Sequence, residues 1–169
     1  AGHPEIEGTM GQVNADQVTL IETVEDARTV QPPEGSNLAF ATQTTLSVDD
    51  TAEIISALQF RFPDITGPRG EDICYATTNR QKAVKDVATN VDLMLVIGAS
   101  NSSNSQRLVE VAKQAGAAEA TLIADKDAIV WEQADKAGHI GLSAGASAPE
   151  SLVQDVIHAL AERYDLTVT

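Results

Sequence analysis

Leu93-Met94-Leu95-Val96-Ile97-Gly98-Ala99-Ser100-Asn101-Ser102-Ser103-Asn104-Ser105 is an apolar run that breaks at a glycine into a polar turn. The run reads as a strand buried on both faces of a parallel sheet, and the turn reads as the start of the helix that follows. In open α/β sheets ligands bind where strands end and helices begin, because a helix N-terminus presents unpaired N–H groups and a positive dipole end. The serine and asparagine side chains of this turn add neutral donors at that point. Two readings follow: a polar loop that only caps a helix, or part of an anion site.

The rest of the chain repeats the pattern. Toward the N-terminus, Ala1 to Gln12 reads as a polar, glycine-containing loop that carries His3, Glu5, Glu7 and Thr9, with a short helical turn after it as the alternative. Val18 to Ile21 reads as a short strand, and Thr23 with Asp26 as the capping box of a modest helix. Gln31 to Ser36, with two prolines and a glycine, is a linker. Asn37 to Thr42 is expected to be a strand running into Gln43-Thr44-Thr45-Leu46-Ser47. Ser47 and Asp50 then start a helix whose Ile54, Ile55, Leu58 and Phe62 form one apolar stripe, ended by Pro63.

Pro68-Arg69-Gly70-Glu71-Asp72 reads as a boundary, dividing the chain into residues 1–70 and 71–169. Ile73 to Thr77 is expected to be extended, with Thr78 and Gln81 as the capping box of a helix that buries Ala83, Val84, Val87 and Ala88. After the central run, a helix buries Leu108, Val111, Ala112 and Ala115 and stops near Gly116. Ala120 to Ala124 reads as a strand, Asp127 to Lys136 as a helix and Ile140 to Leu142 as the last strand. Ser147 and Glu150 then read as the capping box of a final helix that buries Leu152, Val153, Val156, Ile157 and Leu160. Strands alternating with helices predict an α/β fold: two small units, each with a mostly parallel sheet flanked by helices.

Composition narrows the function. The 169 residues are 43% apolar, enough for a packed core, and 11 Lys and Arg against 25 Asp and Glu leave a net charge of −14. Such a surface repels nucleic acid and acidic membranes. An anionic ligand would have to be held by local donors. No apolar run reaches a membrane span of about 18 residues and no signal peptide opens the chain, which points to the cytoplasm. The opening Ala1-Gly2-His3-Pro4-Glu5 has no initiator Met and reads as a turn with no strand before it, as in a fragment or processed chain.

Three strand ends carry hydroxyl-rich turns: Gln43-Thr44-Thr45, Ser102-Ser103-Asn104 and Gly145-Ala146-Ser147. Turns at the C-terminal edge of one parallel sheet converge. No Gly-x-Gly-x-x-Gly or Walker pattern is present, which argues against a dinucleotide or a nucleoside triphosphate. Cys74 is the chain's one cysteine, so an internal disulfide is excluded. It reads as a buried thiol, a nucleophile or a soft-metal ligand; its polar flanks and nearby Arg80 would favour the thiolate. His139, His158 and Trp131 carry no expected role.

Gly2-His3-Pro4-Glu5 with Glu7-Gly8-Thr9, Thr42 to Ser47, Asp72 to Gln81, Asn101 to Ser105 and Ala144 to Pro149, in that order, resemble the 4-hydroxy-3-methylbut-2-enyl diphosphate reductase (LytB) family. The resemblance runs from Ala1 to about Leu160 and covers roughly the later half of a family chain. It implies a three-unit, pseudo-symmetric α/β architecture around a 4Fe-4S cluster held by three cysteines. It also implies an activity, the two-electron removal of the substrate hydroxyl to give isopentenyl and dimethylallyl diphosphate in the non-mevalonate pathway. On the same resemblance Cys74 is a cluster ligand and Glu5 the proton source, and Gln43 and Thr44 orient that acid and the substrate hydroxyl. His3, Ser102, Ser103, Asn104 and Ser147 form the diphosphate and proton-relay shell. The implied partners are an allylic diphosphate and an electron donor such as flavodoxin or ferredoxin. The family's first unit and two further cysteines have no counterpart here, so the chain alone is expected to be inactive. Two rival readings remain. A non-redox phosphate-binding module would keep its anion affinity in Cys74→Ser and need no iron; a processed structural subunit would dock to a cysteine-bearing chain.

Overall fold

The computed structural model describes residues 4–43, 46–68 and 75–167. The chain forms two compact units, Ala1–Cys74 and Tyr75–Thr169. In the first, the described residues form three helices: α1 (Pro4–Met10), α2 (Val24–Thr29) and α3 (Val48–Arg61). Of the loop and short helical turn expected at the start, the described residues show a helix from Pro4 to Met10, where Pro4 supplies the fixed φ and missing N–H that suit the first helical position. Thr23 and Asp26 form the expected capping box on α2, and Ser47 accepts from the Asp50 N–H at the start of α3. Arg61 at the end of α3 reaches back to the Ala27 and Val30 carbonyls at 2.7 and 2.8 Å, satisfying the end of α2.

The strands expected in this unit are reduced or absent among the described residues. Val18 to Ile21 belongs to no strand, and Asn37 to Thr42 contributes a single parallel bridge, Ala39 to Thr66. Alternating apolar residues report burial, whereas a strand also requires a neighbour to complete its hydrogen bonds. At this bridge the Phe40 N–H donates to the Thr66 carbonyl and the Thr66 N–H to the Leu38 carbonyl, each at 2.9 Å.

The second unit runs α4 (Tyr75–Ala88), β1 (Leu93–Ile97), α5 (Ser103–Ala115), β2 (Glu119–Ile123), α6 (Trp131–Ala134), β3 (Ile140–Ala144) and α7 (Glu150–Arg163). The strands form a parallel sheet in the order β2-β1-β3, with Ile97 level with both Ile123 and Ala144. All five residues of the central strand are buried, as the unbroken apolar run predicts. Met94 and Val96 pack on one face against Val84 and Ala88 of α4 and Leu108, Val111 and Ala112 of α5. Leu93, Leu95 and Ile97 pack on the other against Ala134 of α6 and Val156 and Leu160 of α7. Gly116 ends α5 in the left-handed conformation, φ 112°.

Three local expectations are corrected in this unit. Helix α4 already begins at Tyr75, so Thr78 lies inside it and is not an N-cap, and the expected extended piece is helical from Tyr75 onward. The segment Asp127 to Lys136 is not one helix: Asp125 accepts from the N–H groups of Asp127 and Ala128 and holds a single 3-10 turn. The chain then extends through the buried Ile129 before α6. Ser147 does not cap α7; Pro149 is the N-cap residue, extended at ψ 139° and without a side-chain cap bond. A Ser147 cap would place Pro149 at a helical position whose N–H a cap uses, and proline has none. No described helix is long and apolar enough to cross a membrane.

Candidate anion site at the strand ends

Helices α4 and α5 cover one face of the sheet and α7 the other, so the chain leaves the adjacent strands β1 and β3 in opposite directions. A crevice opens at such a switch point, beyond the carboxyl ends of the strands. At that edge lie the two walls of the candidate site, the turn from Gly98 to Ser102 and the turn from Gly145 to Ala148. The Gly145 N–H donates to the Ile97 carbonyl at 2.8 Å, and the Gly98 N–H to the Ile123 carbonyl at 2.9 Å, so both turns are anchored to the sheet.

Ser102 is the N-cap of α5: its hydroxyl accepts from the Ser105 N–H at 3.3 Å. The Ser105 hydroxyl lies 3.0 Å from the same oxygen. The Ser102 N–H donates to the Ala99 carbonyl, and the Gln106 amide donates to that of Ser100, closing the turn on itself. Helices α2, α3 and α7 carry acidic residues in their first turns, which offset the positive end of the helix; α5 carries none.

Asn104, in the same first turn, is 8% exposed, and among the described residues neither its carboxamide oxygen nor its nitrogen has a hydrogen-bond partner. A buried amide left in this state costs about 1–3 kcal/mol. Ser147 is exposed on the other wall and makes no capping bond. Arg80, from α4, brings a guanidinium to this edge, its Nε donating to the Ala144 carbonyl at 3.2 Å.

Of the residues expected at the site from sequence, Ser102, Ser103 and Asn104 open α5 and Ser147 follows β3, so one sheet edge gathers all four. In the first unit, Glu5 belongs to α1 and Gln43 precedes α3. His3, Thr44 and Cys74 lie outside the described residues. Sequence reasoning missed Gly98, Ser105 and Gly145. A β-carbon on either glycine would collide with the Ser105 hydroxyl, and on Gly98 also with the Ser105 β-carbon, 2.6 Å away. The signal available was a glycine directly after each of two strands. Arg80 stands near Cys74 in sequence, and nothing in the sequence brings it to the end of β3.

The fold and this edge define an α/β protein in which a helix N-terminus and several neutral polar side chains gather at the carboxyl ends of the strands. The LytB protein family matches residues 1–161, and the chain belongs to that family. It is similar to the 4-hydroxy-3-methylbut-2-enyl diphosphate reductase of Hyphomonas neptunium, 62% identical over 99% of this chain and 53% of that protein. The enzyme of the same name from Gluconobacter oxydans is 58% identical over 99% of this chain and 50% of its own length. Among solved structures, the E-1-hydroxy-2-methyl-but-2-enyl-4-diphosphate reductase of Plasmodium falciparum superposes with a TM-score of 0.87 at 34% identity. That match covers 95% of this chain and 50% of the other. The chain spans about half the length of the relatives it matches.

Proposed function

We propose that this chain binds the diphosphate of 4-hydroxy-3-methylbut-2-enyl diphosphate and delivers protons in its reductive dehydroxylation to isopentenyl and dimethylallyl diphosphate. The observation that carries the reading is the buried Asn104 amide, without a partner at the start of α5. Its Nδ2 donates to a phosphoryl oxygen, and the hydroxyls of Ser102, Ser103 and Ser147 supply neutral donors around it. In a chain of net charge −14 the overall field repels such a ligand, so affinity rests on these local donors and on the α5 dipole. Glu5, in its protonated form, gives a proton to the departing hydroxyl; Gln43 and Thr44 orient it, and His3 joins the diphosphate and relay shell. The reading includes a cytoplasmic setting and an external electron donor of the flavodoxin or ferredoxin kind.

The iron-sulfur cluster implied by the family does not fit this donor set. The chain has one cysteine, and among the described residues no group of three or more His, Cys, Asp or Glu could hold a metal. Such clusters take about four ligands, mostly thiolates. Cys74 would give one thiolate to a set completed by other cysteines.

Titrating the allylic diphosphate into the wild-type chain and Asn104→Ala, with thermal melts of both, tests the reading. Loss of a charge-assisted bond, about 1.5–3 kcal/mol, weakens binding roughly ten- to hundredfold without lowering the melting temperature. An unchanged dissociation constant overturns it.

A further inference from the structure

We propose that Ser105, which touches no ligand in the reading above, is the positioning residue of the anion site: seated between the two turns, it makes the Ser102 hydroxyl an obligatory donor. The inference rests on the diphosphate reading and concerns how that site is built.

Ser105 is 1% exposed, and its hydroxyl sits in space left by the missing side chains of both Gly98 and Gly145. Both glycines have negative φ, so what selects them is room for this hydroxyl and not backbone conformation. One side chain from α5 therefore sets how closely the turn after β1 and the turn after β3 approach. The same hydroxyl, 3.0 Å from the Ser102 oxygen, is the second donor to it, the first being the Ser105 N–H. A serine oxygen has two acceptor sites and one proton. With both acceptor sites filled from Ser105, the Ser102 proton has to point away from Ser105, available to an acceptor outside the helix. For an anion this arrangement matters, because a hydroxyl presenting its lone pairs would repel phosphoryl oxygens.

Binding of inorganic pyrophosphate to the 169-residue chain, followed by backbone amide shifts with melts alongside, tests the proposal in wild type, Ser105→Ala, Ser102→Ala and the double variant. Ser105→Ala should weaken binding by about tenfold, the value of one hydrogen bond to a charged group. Because Ser105 acts through Ser102, the double variant should bind no more weakly than Ser102→Ala. A purely structural role would instead lower the melting temperature and leave the affinities additive. Wild-type affinity in Ser105→Ala, or additive losses in the double variant, overturns this proposal alone. Absence of pyrophosphate binding by the wild type overturns the diphosphate reading and this proposal with it.

Discussion

The Ser105 hydroxyl occupies the space that a β-carbon on Gly145 would need, although one residue opens α5 and the other follows β3. The Ser105 β-carbon itself stands 3.4 Å from that point, an ordinary contact. Gly145→Ala should therefore destabilise the chain by about 1–3 kcal/mol, the usual cost of overpacking. In a Ser105→Ala background most of that cost should vanish, a coupling of about 1 kcal/mol or more between the two positions. Denaturant melts of the four proteins in the cycle measure it, and additive effects would show that the hydroxyl does not set the spacing.

Acid sensitivity should centre on the cluster that ties α6 to the end of α7. Arg163 binds both carboxylate oxygens of Asp135, at 2.8 and 2.6 Å, and the Tyr164 hydroxyl donates to one of them at 2.6 Å. The Arg163 bonds first, and the Tyr164 bond second, pull the Asp135 carboxyl from 3.8 down to about 2. A carboxyl depressed in the folded state stabilises fully above its unfolded pKa, and that stabilisation is lost as pH falls from about 4 toward 2. The melting-temperature gap between wild type and Asp135→Asn should thus be constant from neutral pH down to about 5 and narrow below 4. A gap that stays the same down to pH 2 would show that the ionised carboxylate is not its source.

For the proposed proton source, Glu5→Gln keeps the shape of the side chain and removes its acidity. Where the reaction proceeds on this sequence, turnover should fall by about 10² to 10⁴ while substrate affinity persists. Single-turnover kinetics beside a binding titration separate the two, and near-normal turnover would take Glu5 out of the mechanism.

Anaerobic treatment of the chain with iron and sulfide should yield no stable brown species at one 4Fe-4S cluster per monomer, because one thiolate is far short of a ligand set. Iron and sulfide analysis with the visible spectrum reads this directly. One stable cluster per monomer would mean that the donors present suffice.

The amino-acid sequence by itself determined the sheet-and-helix order of the second unit, the buried central strand, the Thr23, Ser47 and Ser102 caps and the Gly116 stop. These are set by neighbours within about four residues or by an unbroken apolar run, and such signals are local. The motifs quoted for the LytB family were equally legible, since they are short and contiguous. Tertiary structure alone decided which polar residues cap a helix and which are left without that bond. Ser147 and Glu150 have the spacing of a capping box, yet the helix starts after Pro149 and leaves the serine uncommitted. Asn104 was legible as a candidate donor of the turn, but its burial without a partner among the described residues depends on what packs around α5. Val18 to Ile21 has the pattern of a strand and lacks a ladder. The fit of Ser105 against Gly98 and Gly145 joins three segments that no short window of sequence contains, because strand pairing across the switch point, and not chain proximity, brings them together.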